Sequence, residues 1–331
     1  MLRKFLILSL VLTVVLSFEP NHEKESYIFA RFQEFLKKEN KKYSTAEEYL
    51  ARFKIFESNY LKLESFSINV DRKHSVGINK FADMTPQEFR RTYLNLNIKL
   101  VDVLKAQSEQ LTFAEEAPEA HDWRSTGAVG PVKDQGSCGS CWAFSTVGNL
   151  EGLNYLKTKQ FVQYSEQQLV DCDKNDSGCN GGLMENAYDY LISAGGIEKQ
   201  ADYKYTGRDG SCKFVKTKAA LQVVGHVSAA SQDENEVKSF LYSTGPLAIA
   251  LNADPLQFYN GGIIDADAND CDPQGLNHGV TLVGYGSENG TDYWIVKNSW
   301  GSGWGEDGYF RMARGKGTCG INTYVVSAKL Q

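Results

Sequence analysis

Gln135-Gly136-Ser137-Cys138-Gly139-Ser140-Cys141-Trp142 is the stretch that most strongly constrains the fold of this 331-residue chain. Ala143, Val147 and Leu150 follow at spacings that put them on one helical face, which predicts an amphipathic helix from Cys141 to about residue 156. Cys141 would lie in its first turn, where backbone N–H groups and the positive end of the helix dipole favour the thiolate, the nucleophilic form of cysteine. The stretch therefore predicts a reactive thiol at a helix start.

Two residues far along the chain can complete a catalytic group with this thiol. His278 lies 137 residues after Cys141, at the start of an apolar run that ends at residue 285. Asn298 lies a further 20 residues on, directly after the strand-like run 293–297. A cysteine nucleophile needs a base, and the base needs a group that orients it. Histidine and asparagine at these positions supply both.

These residues together resemble the papain family of cysteine proteases, whose local signature includes Cys138-Gly139-Ser140-Cys141-Trp142 with histidine and asparagine far downstream. Three more motifs of the mature enzymes are present: Asp122-Trp123-Arg124, Cys179-Asn180-Gly181-Gly182, and Asn298-Ser299-Trp300-Gly301-Ser302-Gly303-Trp304-Gly305. Two propeptide motifs precede them: Glu48, Arg52, Phe56 and Asn59 fit the start of E-R-F-N-I-N, and Gly77, Asn79, Phe81 and Asp83 match G-x-N-x-F-x-D. Leu63 and Ser67 depart from the last two positions of E-R-F-N-I-N, as in cathepsin F-like members. The chain is similar to a full-length preproenzyme of the cathepsin L/F type.

The resemblance implies an α+β, papain-like two-lobe fold preceded by a helical inhibitory prodomain. A helical lobe would carry Cys141, and an antiparallel β-barrel-like lobe would carry His278 and Asn298. The residue patterns agree, because residues 26–93 have helical spacings and short strand-like runs follow Ala220. Ser44 and Glu47 form a capping-box pattern. We expect a signal peptide at 1–17, a propeptide at 18–116 that ends in a linker occupying the active-site cleft, and a mature peptidase domain at 117–331.

The first residues predict entry into the secretory pathway. A basic start, Met1-Leu2-Arg3-Lys4, precedes an apolar run over residues 5–16 that is shorter than the roughly 18 residues of a membrane span. We therefore expect no stable membrane insertion, and a destination in the lysosome, the vacuole or the exterior. Residues 18–116 hold 16 basic and 16 acidic side chains, so removing them with Arg3 and Lys4 leaves 17 basic and 25 acidic residues, a net charge of −8. This charge disfavours nucleic acid as a partner.

Cysteine usage fits an oxidising compartment, since all 7 cysteines lie at or after position 138. Six of them could pair in 15 ways, so the sequence alone leaves the connectivity open. The resemblance implies Cys138–Cys179, Cys172–Cys212 and Cys271–Cys319, with Cys141 unpaired.

The resemblance also implies a role for each residue of the site. Cys141 is the nucleophile, His278 the base, Asn298 the group that orients the base, and Gln135 a donor to the oxyanion. The substrate cleft is lined by Gly181, Gly182, Leu183, Met184, Ala250, Leu276, Gly279, Trp300 and Tyr324. Trp300 also covers the hydrogen bond between histidine and asparagine. An apolar main specificity pocket that ends at Tyr324 should favour Leu or Val and disfavour Arg.

A protease of this type needs no cofactor and no metal. The partners implied are protein and peptide substrates, the chain's own propeptide as an intramolecular inhibitor, and cystatin-like inhibitors, with the enzyme acting as a monomer. The absence of a histidine-pair insertion, and of a proregion cysteine that could tether a mini-chain, favours endopeptidase over exopeptidase activity. Asn175-Asp176-Ser177 and Asn289-Gly290-Thr291 are glycosylation sequons.

Two other classes of protein share parts of these patterns. Cys138-x-x-Cys141 could be a thiol–disulfide redox centre or half of a zinc site. Redox motifs of the thioredoxin type have tryptophan before the first cysteine, whereas Trp142 follows the second, and no second C-x-x-C completes a zinc site. A catalytically inactive binding protein is the other alternative. It is disfavoured because all four polar catalytic positions hold competent residues.

Overall fold

The computed structural model describes residues 22–67, 72–96, 116–229, 233–266 and 270–331. The predicted signal peptide at 1–17 and residues 97–115 of the predicted linker lie outside these ranges. The chain folds as two compact units: Met1–Asp71 with Val76–Thr85, and Arg72–Ser75 with Pro86–Gln331. In the described ranges, no helix combines the length and the apolar character needed to cross a bilayer.

Over residues 22–67, the first unit forms the helices α1 (His22–Lys38) and α2 (Ala46–Ser67). Its core is mainly aromatic, because phenylalanines recur on the facing sides of both helices, and it consists of Ile28, Phe32, Phe35, Phe53, Phe56 and Ala82. The rings of Phe32 and Phe56 lie 5.2 Å apart. Helix α2 begins one residue later than the predicted capping box. The side chain of Thr45, not of Ser44, accepts a bond from the backbone N–H of Glu48, at 3.1 Å.

The two propeptide motifs bind each other within this unit. Arg52 donates to the carbonyl oxygen of Asp83 at 3.0 Å. Asn59 donates to the carbonyl oxygens of Ala82 and Met84, both at 2.9 Å. The carboxylate of Asp83 accepts from Lys41 and Tyr43 at 2.8 Å. The polar residues of both motifs therefore have a structural role, since they hold the 81–84 turn against α2.

The described residues of the second unit contain α3 (Pro86–Tyr93), α4 (Cys141–Thr158), α5 (Glu166–Cys172), α6 (Met184–Ala194) and α7 (Glu234–Thr244). Short 3₁₀ helices span Trp123–Thr126, Gly178–Asn180, Lys216–Lys218, Asp254–Phe258 and Thr318–Gly320. The strands of the described residues are β1 (His74–Val76), β2 (His121–Asp122), β3 (Ile197–Glu198), β4 (Ala219–Leu221), β5 (Val223–Ser228), β6 (Leu247–Leu251), β7 (Tyr259–Ile264), β8 (His278–Glu288), β9 (Thr291–Lys297), β10 (Tyr309–Ala313) and β11 (Tyr324–Leu330). Helices come mostly before residue 195 and strands after it, which is the predicted division into two lobes.

Nine strands form one sheet in the order β1-β7-β10-β9-β8-β6-β11-β5, with β2 paired to β8. The other two, β3 and β4, form a separate pair. The sheet departs from the antiparallel prediction at one place, because β10 runs parallel to β7. β9 is antiparallel to both β8 and β10, so β10 runs in the direction of β8, and the chain between β7 and β8 returns without reversing the strand direction.

Helix α4 connects the two lobes and approaches the sheet closely. A Cβ atom at Gly148 would clash with the side chain of Thr281 on β8, and one at Gly152 would lie 2.7 Å from the ring of Pro246. Before these glycines in the helix, Ser145 donates to the carbonyl oxygen of Val280 at 2.6 Å. The two glycines, one turn apart, let the backbone of α4 rest against the sheet.

Three disulfides close loops within the second unit. They are Cys138–Cys179, Cys172–Cys212 and Cys271–Cys319, the pairing that the resemblance implies. Cys141 is the remaining cysteine, and it is free and buried. Because Cys138 is bridged to Cys179, it does not form a redox pair with Cys141.

Candidate active site

Cys141 is the first residue of α4, as the apolar spacing predicts, and its side chain is fully buried. Backbone groups of Trp142 and of Cys141 itself lie close enough to bond the sulfur. From the sheet, the first residues of β8 reach the same point. A Cβ atom at Gly279 would lie 3.3 Å from the carbonyl group of Cys141. The fold thus brings the residue after His278 into contact with the start of α4.

His278 begins β8, and Asn298 directly follows β9, its antiparallel neighbour. Nε2 of His278 lies 2.8 Å from Oδ1 of Asn298, so Nε2–H donates to the amide oxygen. The other ring nitrogen, Nδ1, is buried and makes no hydrogen bond of ordinary geometry to a described residue, although the backbone of Tyr93 lies close enough to act on the imidazole. The indole of Trp300 stacks on the imidazole with the ring centroids 4.8 Å apart. Asn298 and Trp300 therefore orient the ring and shield its hydrogen bond from water, leaving Nδ1 available.

Gln135 is held so that its amide nitrogen points toward the site. The side-chain oxygen Oε1 of Gln135 accepts from the hydroxyl of Ser299 at 2.7 Å. The backbone N–H of Gln135 donates to the backbone carbonyl oxygen of Ser299 at 2.8 Å. Its Nε2 donates to the carbonyl oxygen of Cys138 at 3.0 Å and to that of Tyr93 at 3.3 Å. The backbone N–H of Ser299 also donates to Oδ1 of Asn298 at 2.8 Å. Ser299, which the sequence analysis named within a motif but gave no role, thus positions both Gln135 and Asn298.

Residues after α3 lie directly in this site. Besides the bond from Gln135 to Tyr93, the backbone N–H of Leu96 donates to the carbonyl oxygen of Asn277 at 3.1 Å. Asn95 contributes a backbone group near the sulfur of Cys141. A Cβ atom at Gly181 would overlap with the carbonyl oxygen of Asn95. The start of the predicted linker therefore covers the nucleophile, as expected for an inhibitory segment.

The residues predicted to line the specificity pocket are brought together. Ala250 on β6 is paired with Gly279 on β8 and with Tyr324 on β11. One buried cluster contains Leu96 of the prosegment together with Met184, Ala250, Leu276 and Tyr324, and Leu183 packs against it. The backbone N–H of Glu185 donates to the hydroxyl of Tyr324 at 3.3 Å, which holds the tyrosine at the far end. Gly182 lies beside the ring of Trp142.

Burial makes the uncharged forms of the two central groups the stable ones in this state. It raises the pKa of Cys141 to about 11, and it lowers the pKa of His278 to about 4. The predicted thiolate–imidazolium pair is therefore disfavoured while the prosegment covers the site. Removing residues 93–96 would restore water to both groups, which stabilises the charged forms.

A group of buried charges beside the site was not anticipated from the sequence. Nζ of Lys133 lies 2.6 Å from a carboxylate oxygen of Glu151 and 2.6 Å from one of Glu166. Lys297, next to Asn298, is also buried, which lowers its pKa to about 8. These four side chains and Asn298 line a cavity of about 20 Å³, enough for one water molecule. Burial opposes the charge of Lys133, but the two carboxylates outweigh it and its pKa is raised.

A buried thiol at a helix start, near an imidazole that an amide orients, is the arrangement used by cysteine proteases. Residues 117–329 match the model of the papain family cysteine proteases, and residues 32–89 match that of the cathepsin propeptide inhibitor domain. The chain belongs to the papain family of cysteine proteases, and it carries the family's propeptide inhibitor domain.

Individual relatives agree with this assignment. Cysteine proteinase 15A of Pisum sativum is 46% identical over 310 residues, which cover 89% of this chain and 84% of the relative. Cathepsin F of Drosophila melanogaster is 40% identical over 323 residues, which cover 94% of this chain and 53% of the relative. The structure of digestive procathepsin L 3 from Tenebrio molitor larval midgut superposes with a TM-score of 0.84 at 36% identity, covering 92% of this chain and 99% of that one.

Proposed function

We propose that the mature protein is a cysteine endopeptidase whose nucleophile is Cys141 and whose base is His278. The observation that carries this proposal is the 2.8 Å contact between Nε2 of His278 and Oδ1 of Asn298. This contact supports Nδ1 as the nitrogen that receives the thiol proton, and the approach of Gly279 to the carbonyl group of Cys141 supports a pairing of His278 with the thiol.

Once the site is uncovered, the thiol proton moves to Nδ1 and leaves a thiolate beside an imidazolium. The thiolate attacks the carbonyl carbon of a peptide bond and forms a tetrahedral intermediate with a negatively charged oxygen. His278 returns the proton to the leaving amine, which departs and leaves a thioester on Cys141. Water, activated by the neutral imidazole, then hydrolyses the thioester and regenerates the thiol.

The negative oxygen of the intermediate would be bound by the backbone N–H of Cys141 and by Nε2 of Gln135. In the described state, Nε2 already donates to a carbonyl oxygen, that of Tyr93, at 3.3 Å. A carbonyl of a bound chain is thus within reach of this donor. Because Ser299 holds the amide in place, the donor needs no reorganisation during the reaction, which is the condition for a large contribution to the rate.

The same contacts support the proposed zymogen organisation. Residues 18–116 would act as the propeptide and residues 117–331 as the mature peptidase, with the signal peptide at 1–17 removed first. Leu96 fills the cluster in which a substrate side chain would lie, and Asn95 covers Gly181. Substrate and propeptide would therefore compete for one cleft.

The proposed preference for Leu or Val follows from the pocket walls. Met184, Ala250 and Leu276 are buried and apolar, and Tyr324 stands at the far end. In the zymogen, a leucine, Leu96, already packs among them. A panel of fluorogenic dipeptides should give a higher kcat/KM for Leu than for Arg at the position that enters this pocket, and the opposite order would contradict the preference.

The remaining parts of the proposal concern partners and location. We propose a monomer that cleaves proteins and peptides, that cystatin-like inhibitors block, and that works in the lysosome, the vacuole or outside the cell. Asn175 lies at the surface of the loop before Cys179, so it can accept a glycan there. Asn289 is the second glycosylation candidate.

The decisive experiment replaces the sulfur of the nucleophile. The propeptide of Cys141→Ser is removed by a trace of wild-type enzyme, whose own activity is subtracted. The kcat of the variant on a fluorogenic peptide should then be at least about 10⁴-fold lower than that of the wild type. Ser137→Ala, an exposed change in the same loop, serves as the control and should keep the wild-type rate. Peptide hydrolysis by Cys141→Ser at the wild-type rate would refute the mechanism.

A further inference from the structure

A pair of buried carboxyl groups lies behind the segment that would bind the substrate backbone. Asp173 directly follows α5 and is 3% exposed, and Asp176 lies three residues later in the loop that leads to Gly181 and Gly182. In the sequence, Asp176 stands out only as the middle residue of a glycosylation sequon. Neither residue takes part in the mechanism above.

Asp176 positions the substrate-binding segment 181–183 through hydrogen bonds and close packing. Its Oδ1 accepts from the backbone N–H of Leu183 at 3.0 Å and from the side-chain amide of Asn186 at 2.9 Å. A Cβ atom at Gly182 would lie 2.6 Å from Cγ of Asp176 on one side and 2.6 Å from the ring of Trp142 on the other. The carboxyl group therefore determines where Gly182 and Leu183 lie.

The second oxygen of each carboxyl group lacks an ordinary partner. Oδ1 of Asp173 accepts from the backbone N–H of Asn175 at 2.9 Å, whereas Oδ2 of Asp173 and Oδ2 of Asp176 are buried without a hydrogen bond to any described residue. The two unpartnered oxygens lie in one loop, three residues apart, and each carboxyl group acts on the pKa of the other. Two ionised carboxylates cannot form a hydrogen bond with each other, because both are acceptors. If one of them is protonated, its O–H can donate to the other, and both oxygens then have a partner.

The surroundings favour keeping that proton. Burial raises the pKa of both groups, to about 7 for Asp176. From α6, the group that acts on Asp173 is another acid, Asp189, and Tyr190 faces the same carboxylate. In the loop itself, Lys174 donates to the carbonyl oxygen of Asp171 at 3.0 Å.

We propose that Asp173 and Asp176 share one proton and that this protonated pair is a pH-dependent positioning element for the substrate-binding segment 181–183. The inference rests on the proposed peptidase function and adds a control of substrate binding to it. When the shared proton leaves for solvent, two negative charges are left in one loop, three residues apart, each with a buried oxygen that has no hydrogen-bond donor. Their repulsion moves Asp176 away from Asp173, and Gly182 and Leu183 move with it. Substrate binding is then strongest at acidic pH and weakens toward alkaline pH.

The direction of the pH dependence follows from comparing the folded protein with the unfolded chain. The folded protein binds the proton more tightly than an unfolded chain, whose aspartates have pKa values near 4. The stabilisation from this proton is complete below about pH 4 and is lost as the pH rises through about 7, the folded pKa of Asp176. An enzyme with this pair is suited to an acidic compartment.

The test compares KM and kcat across pH in processed enzyme. In the wild type, KM should rise roughly tenfold between pH 5 and pH 8, as expected for the loss of about one buried hydrogen bond. Asp176→Asn keeps an acceptor for Leu183 and gives Asp173 a permanent N–H donor, so its KM should stay constant over this range. The kcat profile should be the same in both proteins, because the reacting groups are untouched. Asp202→Asn, an exposed change, is the matched control and should follow the wild type.

A second measurement does not depend on activity. Infrared difference spectra of the full-length chain between pH 6 and pH 9 should show one carboxylic acid signal disappearing in the wild type and no such signal in Asp176→Asn. If the enzyme hydrolyses peptides but Asp176→Asn keeps the wild-type dependence of KM on pH, the proposal is overturned while the peptidase function stands. If the wild type hydrolyses no peptide, the proposed function itself fails, and the infrared result still decides whether the proton is shared.

Discussion

Phe89 offers the sharpest test of how the prosegment covers the nucleophile. It is the buried residue of α3, 1% exposed, and its ring meets that of Trp300 edge to face at 5.3 Å. Tyr93, one turn later, continues the contact. Truncating a buried phenylalanine to alanine costs about 3–5 kcal/mol, and about 3 kcal/mol shifts an equilibrium roughly 150-fold. Phe89→Ala should therefore increase the fraction of molecules with an uncovered site by about two orders of magnitude.

The assay is alkylation of Cys141 by iodoacetamide in the intact zymogen at pH 7.5, followed by mass spectrometry. Cys141 is the single free cysteine, because the other six are bridged. Burial raises the pKa of its thiol to about 11, so the covered form is almost fully protonated at this pH and the rate reports the open form. We expect alkylation of Phe89→Ala to be roughly a hundredfold faster than that of the wild type.

Two controls make the result interpretable. Arg91→Ala changes an exposed residue of the same helix and should leave the rate unchanged. Phe89→Leu fills part of the cavity and should give an intermediate rate even if the alanine variant folds poorly. A folded Phe89→Ala or Phe89→Leu zymogen that reacts at the wild-type rate would show that this contact does not keep the prosegment in place.

Three further outcomes are expected. Gln135→Ala should lower kcat by at least about a hundredfold with little change in KM, because its amide would bind only the oxyanion; steady-state kinetics that show a change in KM alone would contradict that role. Lys316 and Lys73 hold the pKa of Asp265 below its ordinary value, so its contribution to stability is present above about pH 4 and is lost as the pH falls through the lowered pKa. Asp265→Asn should therefore lower the Tm of the full chain at pH 7 and not at pH 2.5, and an equal loss at both would refute the linkage. Glu166→Gln removes one of two carboxylates that face buried lysines and should destabilise the protein by about 3–5 kcal/mol, measured by denaturant unfolding; an unchanged transition would mean that the charges are not coupled.

Local patterns were sufficient to predict the elements that carry the catalytic residues. The apolar spacing after Cys141 corresponds to α4, although the helix continues to Thr158. The run before Asn298 corresponds to β9. These predictions succeed because the apolar residues of each element are buried and the element is long enough for their helical or strand-like spacing to be recognised.

Other elements leave no such pattern. All seven residues of α5 are buried, including two glutamines and a glutamate, so the helix has no polar face to set against an apolar one. Strand β7 contains Gly261 and Gly262, both with positive φ, which interrupts the alternation expected of a strand. Its parallel pairing with β10 depends on the path of the intervening strands, which the residues of β7 do not encode.

The candidate site shows the same limit. Cys141, His278, Asn298 and Gln135 could be selected because their residue types and spacing match a chemical task. The contacts of Tyr93 and Asn95 are made through backbone atoms, and backbone groups carry no sequence signal. Asp173 and Asp176 look like ordinary loop acids until the fold buries them, since their pKa values depend on neighbours that arrive from α6.

Gly148 and Gly152 set how closely the backbone of α4, which carries the nucleophile, can approach the side chains of Thr281 and Pro246. At Gly148 and Gly152 no side chain separates the helix from the opposite lobe. A single methyl group at Gly148 would clash with the side chain of Thr281 on β8. Because its carbon would overlap with Oγ1 of Thr281, the helix and β8 would have to move, and the rate would fall although every reacting residue remained in the sequence.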